Sequence, residues 1–315
     1  MSTHANIMDG LARRHDVLLP ILNGNPIHYL DLPFYGNVGD LLIMMGTLRF
    51  FKRHQVRVDT MGMYFNYSTS RAKEGDVIVF QGGGNFGDIY GPFQAFREKV
   101  IAALPNNRIV ILPQSIHFST PDSFDRCATL LSRHQDLHIC VRDSQSAQMA
   151  RGMTPNVYLL PDMAHQLWPM QRSSSPTAPL LQVCRRDREA RNPTTISLDT
   201  FDWEDLVGKK WAFFLSQVAE RCIFHAHRIG INSPFSNLEA RLWIAQSERF
   251  VDQAVSLFSA YERIRSDRLH AHILSCLLSI PNQISDNSYG KNGRYAASWT
   301  AASPLVSIGR TGDEF

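Results

Sequence analysis

Arg268, His270 and His272 stand at the head of an apolar run, residues 266–280, and a loop DNSYGKN at 286–292 follows it. A cation and an imidazole where a helix begins make a ready anion site. Free backbone N–H groups and the positive end of the helix dipole point outward there. Arg268, His270 and Lys291 would add formal positive charge to it. Side chains two positions apart on a helix differ by about 200° in direction, whereas a helical metal pair needs spacing like H-E-x-x-H. His270 and His272 are therefore not expected to bind a metal together. His270 is expected to face an anion, which favours its protonated form, and His272 to pack in the core. The expected ligand is small and doubly anionic.

Glycine- and amide-rich runs supply a second kind of chemistry. GNVGD at 36–40 follows a strand-like run, and its glycines allow close backbone approach. Asp40 is placed to cap the next helix or to meet a ligand, with the Asn37 amide beside it. This run is not the G-x-G-x-x-G dinucleotide fingerprint. QGGGNFGD at 81–88 also follows a strand-like run, and no G-K-[ST] follows, which excludes a Walker loop. Three adjacent glycines lose much conformational entropy on folding, so something must come close to this backbone. A ligand is favoured over a neighbouring segment, because the run sits at a strand end. LPQS at 112–115 brings Gln114 to a third strand end. Uncharged amides and a carboxylate suit sugar hydroxyls better than phosphate. Asn37, Asp40, Gly83, Gly84, Asn85 and Gln114 are therefore expected to bind a polyhydroxylated acceptor. RRDRE at 185–189 offers Arg185, Arg186 and Arg188 for bidentate contact with a carboxylate or phosphate.

These motifs need a scaffold whose strand ends converge. Strand-like runs at 27–32, 56–59, 77–80, 108–112, 138–141 and 157–160 alternate with helical patterns at 41–53, 92–104, 123–134 and 144–151. That alternation predicts an α/β fold with a parallel, doubly wound sheet. Residues 166–179, rich in proline and serine, read as an exposed linker between an N-terminal domain, 1–165, and a C-terminal domain, 180–315. The second domain reads as α/β too. It has strands at 180–184, 261–264 and 282–285, and helical patterns at 211–227, 237–260 and 268–279. The tail after Ser303 is expected to be polar and frayed.

The 315 residues are 44% hydrophobic and 19% charged, with a formal net charge of +3. That length suffices for two medium domains, and the charge is too small to argue for nucleic acid. Five cysteines, without a C-x-x-C pair, read as reduced buried thiols. The N-terminus reads as lacking a signal peptide, and no run reaches the ~18 apolar residues needed to cross a bilayer. The expected setting is the cytoplasm, with peripheral contact at a membrane or biosynthetic complex left open.

Taken together, GNVGD (36–40), QGGGNFGD (81–88), LPQS (112–115), RD (142–143), LPDMAH (160–165), RLHAHIL (268–274) and DNSYGKN (286–292) resemble the polysaccharide pyruvyl transferase family. Within it, they are most similar to the bacterial exopolysaccharide ketal-pyruvate transferases. The resemblance implies two Rossmann-like lobes facing a cleft, in a GT-B-like architecture. It implies phosphoenolpyruvate as donor substrate, no cofactor, and a sugar of an exopolysaccharide or its lipid-linked repeat unit as acceptor. The implied product is a pyruvate ketal. Donor binding falls on Arg185, with Arg186 and Arg188 as alternatives, and on Arg268, Leu269 and His270. The glycine of the family's R-L-H-G-H run is Ala271 here.

Phosphoenolpyruvate needs two cationic subsites at close range, which Arg185, Arg268 and His270 would supply. Ketal formation needs a general acid, for which His270 is the candidate, and a base, for which Asp40 is. One rival is a GT-B glycosyltransferase using a nucleotide sugar, although the chain has no E-x7-E in its second half and no D-x-D. Another is a non-catalytic phosphate-binding protein of the same pathway.

Overall fold

Strands buried on both faces organise the chain. The computed structural model describes residues 3–22, 24–186, 200–207, 236–286 and 290–309. The first sheet contains β1 (Ile27–Leu30), β2 (Val58–Gly62), β3 (Val77–Phe80), β4 (Gly83–Gly87), β5 (Ile109–His117), β6 (Leu137–Val141) and β7 (Asn156–Leu159). Its order is β2-β1-β3-β5-β6-β7, and all pairings are parallel. β4 takes over from β3 along the far half of β5, pairing Gly83 with Gln114 and Gly87 with His117. β1, β3 and β6 are buried at every position and are mostly apolar in sequence, with His28 and His138 as the exceptions.

A second parallel sheet, in the order β11-β10-β9-β8, is formed by β8 (Ala178–Val183), β9 (Tyr261–Ser266), β10 (Asn282–Ile284) and β11 (Val306–Ile308). The helices among the described residues are α1 (His4–Arg13), α2 (Leu18–Leu22), α3 (Val38–Arg53), α4 (Gly91–Ala103), α5 (Pro121–Leu131), α6 (Ser144–Ala150), α7 (Trp203–Val207), α8 (Ser236–Ser259), α9 (Leu269–Leu277) and α10 (Lys291–Trp299).

The parallel α/β architecture agrees with the expectation from sequence, with local differences; among them the glycine run contains a strand, β4, and α1 and α2 were not expected. α3 begins at Val38, because the Asn37 side chain accepts the Gly39 N–H at 3.0 Å and caps the helix. Asp40 therefore lies in the first turn and is not the cap. LPQS lies inside β5, which continues to His117 instead of stopping at Leu112. The tail does not fray at Ser303, since Val306 to Ile308 pair with β10. Lys291 starts a helix, α10, where a loop was expected. The helical pattern at 211–227 lies outside the described residues, as does Arg188.

Elements from the second half of the chain reach back to the first sheet. Asn237 at the start of α8 accepts the Met61 N–H at 2.8 Å and donates to the Asp59 carbonyl at 3.0 Å, so it pins the edge strand β2. Further along α8, the Trp243 indole donates to the Pro33 carbonyl at 2.6 Å. α3 is buried through Leu41, Leu42, Met44, Phe50 and Phe51, and one apolar core runs from α1 through α3 to α8, α9 and α10. Each of those large side chains contributes roughly 1.5–3 kcal/mol by leaving water.

Candidate active site

In an open parallel sheet the loops after the strands gather at one edge. Here the edges of both sheets open on the same cavity of about 280 Å³. Tyr35 and Asn37 follow β1, Asp40 sits in the first turn of α3, Gly84 and Asn85 lie in β4, and Arg142 follows β6. Across from them, Arg185 follows β8, and Arg268, Leu269 and His270 follow β9. Trp203 and Asn292 complete that side. Three arginines and one histidine face the cavity against one aspartate, a balance that suits an anionic ligand.

The cationic side is held by buried carboxylates. The Arg268 Nη2 donates to Asp202 Oδ2 at 2.5 Å, and both side chains are almost fully buried. The Arg185 backbone N–H donates to Asp267 Oδ1 at 2.8 Å. Arg186, the alternative to Arg185, does not line the cavity, and its guanidinium meets Asp205 at 2.9 Å and the Thr200 carbonyl. Asn292 donates to the Asp267 carbonyl at 2.5 Å and so ties α10 to the end of β9. The Lys291 side chain lies outside what is described.

His270 reaches across to the first sheet. Its Nε2 lies 3.3 Å from Asp162 Oδ2, the same oxygen that accepts Arg142 Nη1 at 2.5 Å. Asp162 Oδ1 accepts the Ala164 N–H at 2.9 Å. Burial pushes the Asp162 carboxyl upward, but attraction to His270 and Arg142 and the Ala164 N–H outweigh it and hold the group well below the usual carboxylate range. The imidazole also rests on α3. A Cβ added to Gly39 would sit 2.5 Å from His270 Nδ1 and 2.8 Å from its Cγ. His272, two residues on, is buried between Asn282 and Thr300 at 2.6 and 2.8 Å, as expected for a core histidine. Burial pushes its pKa down to about 4.

Asp40 is half-buried at the cavity wall. Burial raises its pKa above the ordinary 3.8, against the pull of His270, Arg142 and a hydrogen bond from the Tyr35 hydroxyl. Asn85 lines the cavity with its amide largely committed. Its Oδ1 accepts from Arg97 at 2.7 Å and Gln114 at 3.0 Å, and its Nδ2 donates to Asp31 at 3.0 Å. One amide hydrogen is left for a ligand.

Gln114 itself is fully buried and away from the cavity, donating also to the Gln81 carbonyl at 2.8 Å. It supports Asn85 and does not line the cavity. The glycine triplet divides its work in the same way. A Cβ on Gly82 would meet the Pro113 carbonyl at 2.8 Å, and Gly83 has a φ of +130° beside Asp40 Oδ1. A neighbouring segment thus accounts for Gly82 and Gly83, and Gly84 alone of the three faces the cavity.

Sequence reasoning assigned no role to Arg142, Asp162, Trp203, Asn292 or the aromatic wall of Tyr35, Tyr90 and Phe93. Arg142 directly follows a strand-like run and Asp162 comes two residues after another, so the same strand-end rule that found Asp40 could have found them.

The profile of the family described as Polysaccharide pyruvyl transferase matches residues 37–283. The chain is 40% identical over 290 residues to a Bacillus subtilis protein named "Putative pyruvyl transferase EpsO", covering 90% of this chain and 88% of that one. It is 28% identical over 296 residues to "Pyruvyl transferase 1" of Schizosaccharomyces pombe, covering 86% of this chain and 68% of that one. A crystal structure of a functionally uncharacterised Klebsiella pneumoniae protein superposes with a TM-score of 0.60 at 19% identity, covering 96% of this chain and 99% of that one, which is a likeness of fold. With the profile spanning most of its length and a close relative matched nearly end to end, the chain belongs to the polysaccharide pyruvyl transferase family and is a transferase.

Proposed function

We propose that this enzyme transfers the enolpyruvyl group of phosphoenolpyruvate to a sugar of an exopolysaccharide, or of its lipid-linked repeat unit, and closes it into a pyruvate ketal. The observation that carries this reading is the meeting of Arg185, Arg268 and His270 with Asn37, Asp40, Gly84 and Asn85 around one cavity. We read the two sheets as Rossmann-like lobes of a GT-B-like enzyme, divided at 166–179, with the donor held by the second lobe and the acceptor by the first.

In this mechanism Arg185 and Arg268 hold the phosphate and carboxylate of the donor. His270, protonated, gives its proton to C3 of phosphoenolpyruvate, turning the methylene into a methyl group. Asp40 takes the proton of a sugar hydroxyl as its oxygen attacks C2. The C2–O bond to phosphate then breaks, and phosphate leaves. A second hydroxyl of the sugar adds at C2, closes the ring and releases its proton to the departed phosphate or to His270, which is neutral after the first step. Tyr35, Tyr90 and Phe93 offer apolar surface to the sugar's C–H faces. The test is to incubate the protein with phosphoenolpyruvate and candidate pyrophosphoryl-linked oligosaccharides. The mass increase of a pyruvate ketal, with release of phosphate, supports the reading, and its absence from every acceptor overturns it.

Two predictions follow from the geometry of this pair. A base works only when ionised, so kcat should fall in acid, along a limb set above the ordinary carboxylate value of 3.8 because Asp40 titrates high. A kcat profile against pH should show that limb, and Asp40→Asn should remove it with most of the activity. Gly39→Ala should displace the His270 ring by its Cβ contact. It should cost on the order of 10²-fold in kcat, with a melting temperature close to that of wild type, measured by circular dichroism.

A further inference from the structure

Trp203 is buried, with 2% of its surface exposed, yet it lines the cavity beside Arg185 and Arg268. Its ring stacks on Phe258 of α8 with centroids 5.6 Å apart and planes at 12°, and it meets Phe201 edge to face at 6.0 Å. These contacts fix the indole in the apolar core of the second sheet. Its Nε1–H has no hydrogen-bond partner. The other tryptophans among the described residues do: Trp168 donates to Asp9 at 2.9 Å, Trp243 to Pro33 at 2.6 Å and Trp299 to Arg142 at 2.8 Å. A buried N–H left unmade is costly, and such an orphan in a native protein calls for an explanation. An indole nitrogen is a donor only, so its partner must be an acceptor atom. The arginines beside it select for anionic oxygen.

We infer that the Trp203 indole N–H is a ligand to an anionic oxygen of the donor substrate, a phosphate or carboxylate oxygen. The inference rests on the reading of this cavity as the phosphoenolpyruvate site. It adds a neutral donor to the cationic side of the cavity, and gives the short helix α7 a part in donor recognition.

The test compares wild type with Trp203→Phe, which keeps an aromatic ring against Phe258 and removes the N–H together with part of the indole bicycle. Calorimetric titration with phosphoenolpyruvate should show roughly 10- to 100-fold weaker binding in the variant, the loss expected for a hydrogen bond to a charged group. In wild-type protein labelled with ¹⁵N-tryptophan, the Trp203 Nε1–H resonance should move when phosphoenolpyruvate is added. Equal affinity in the variant, or an unmoved resonance with ligand bound, overturns the inference and leaves the donor assignment standing. Titrations with inorganic phosphate and with pyruvate separate the two anionic groups, and the one whose binding Trp203→Phe weakens is the partner. Should wild type bind phosphate but not phosphoenolpyruvate, the donor assignment falls while the indole contact survives if Trp203→Phe weakens phosphate binding. If none of the three anions binds, the inference fails as well.

Discussion

A His270→Ala variant is expected to form no detectable pyruvate ketal while melting close to the wild-type temperature. The ring makes one side-chain hydrogen bond, to Asp162 at 3.3 Å, and that carboxylate keeps its bond to Arg142 when the ring is removed. Truncation therefore leaves no buried charge alone, and the cost in stability should stay within about 1 kcal/mol. The chemical cost is far larger. A positioned general acid, the part the proposed mechanism gives His270, contributes about 10²- to 10⁴-fold, and the ring lines the cavity with Arg268 and Asp40. Mass spectrometry of the acceptor together with a thermal melt reads both effects. Full activity in the variant would remove His270 from the mechanism.

Asp162→Asn should damage the fold as well as the reaction. The carboxylate is fully buried and stands between Arg142 and His270, drawn from the two sheets. Neutralising it leaves Arg142 buried without its counter-charge, and breaking such a pair costs about 3–5 kcal/mol. The pH dependence has a definite sign. The folded carboxyl titrates below its ordinary value of 3.8, so its contribution is present above that value and is lost as the pH falls through the folded pKa. Urea unfolding should therefore show the variant weakest relative to wild type at neutral pH, with the gap closing in strong acid. An unchanged urea midpoint at neutral pH would show that the pair contributes nothing. Activity should fall too, because His270 loses the group that orients it.

Much of the site was legible because parallel strands deliver their following residues to one edge. Short strand-like runs marked β1, β3, β8 and β9, and the residues past them include Asn37, Asp40, Gly84, Arg185 and Arg268. What could not be read was which of those residues turn inward. Gln114 lies within a strand that runs on to His117, and its amide N–H groups go to Asn85 and the Gln81 carbonyl. The choice between Arg185 and Arg186 depends on Asp205 and Thr200, which capture the second guanidinium from further along the chain. Trp203 carries no motif, and its significance comes only from having no acceptor while lying at the cavity wall. The close approach demanded by the glycine triplet was correctly anticipated, but the Pro113 carbonyl and Asp40 meet most of it.

The missing side chain at Gly39 has a bearing on how such an enzyme can diversify. Residues that would choose the acceptor, Tyr35, Tyr90 and Phe93, belong to the first half of the chain, whereas the cationic cradle of Arg185 and Arg268 belongs to the second. Under the proposed mechanism the aromatic wall is free to drift toward new sugars without retuning the donor chemistry. Gly39 is the point where that freedom ends, because there the helix bearing Asp40 and the imidazole of His270 occupy touching space. Acceptor preference can be rewritten around this joint, but the joint itself has room for a hydrogen and nothing larger.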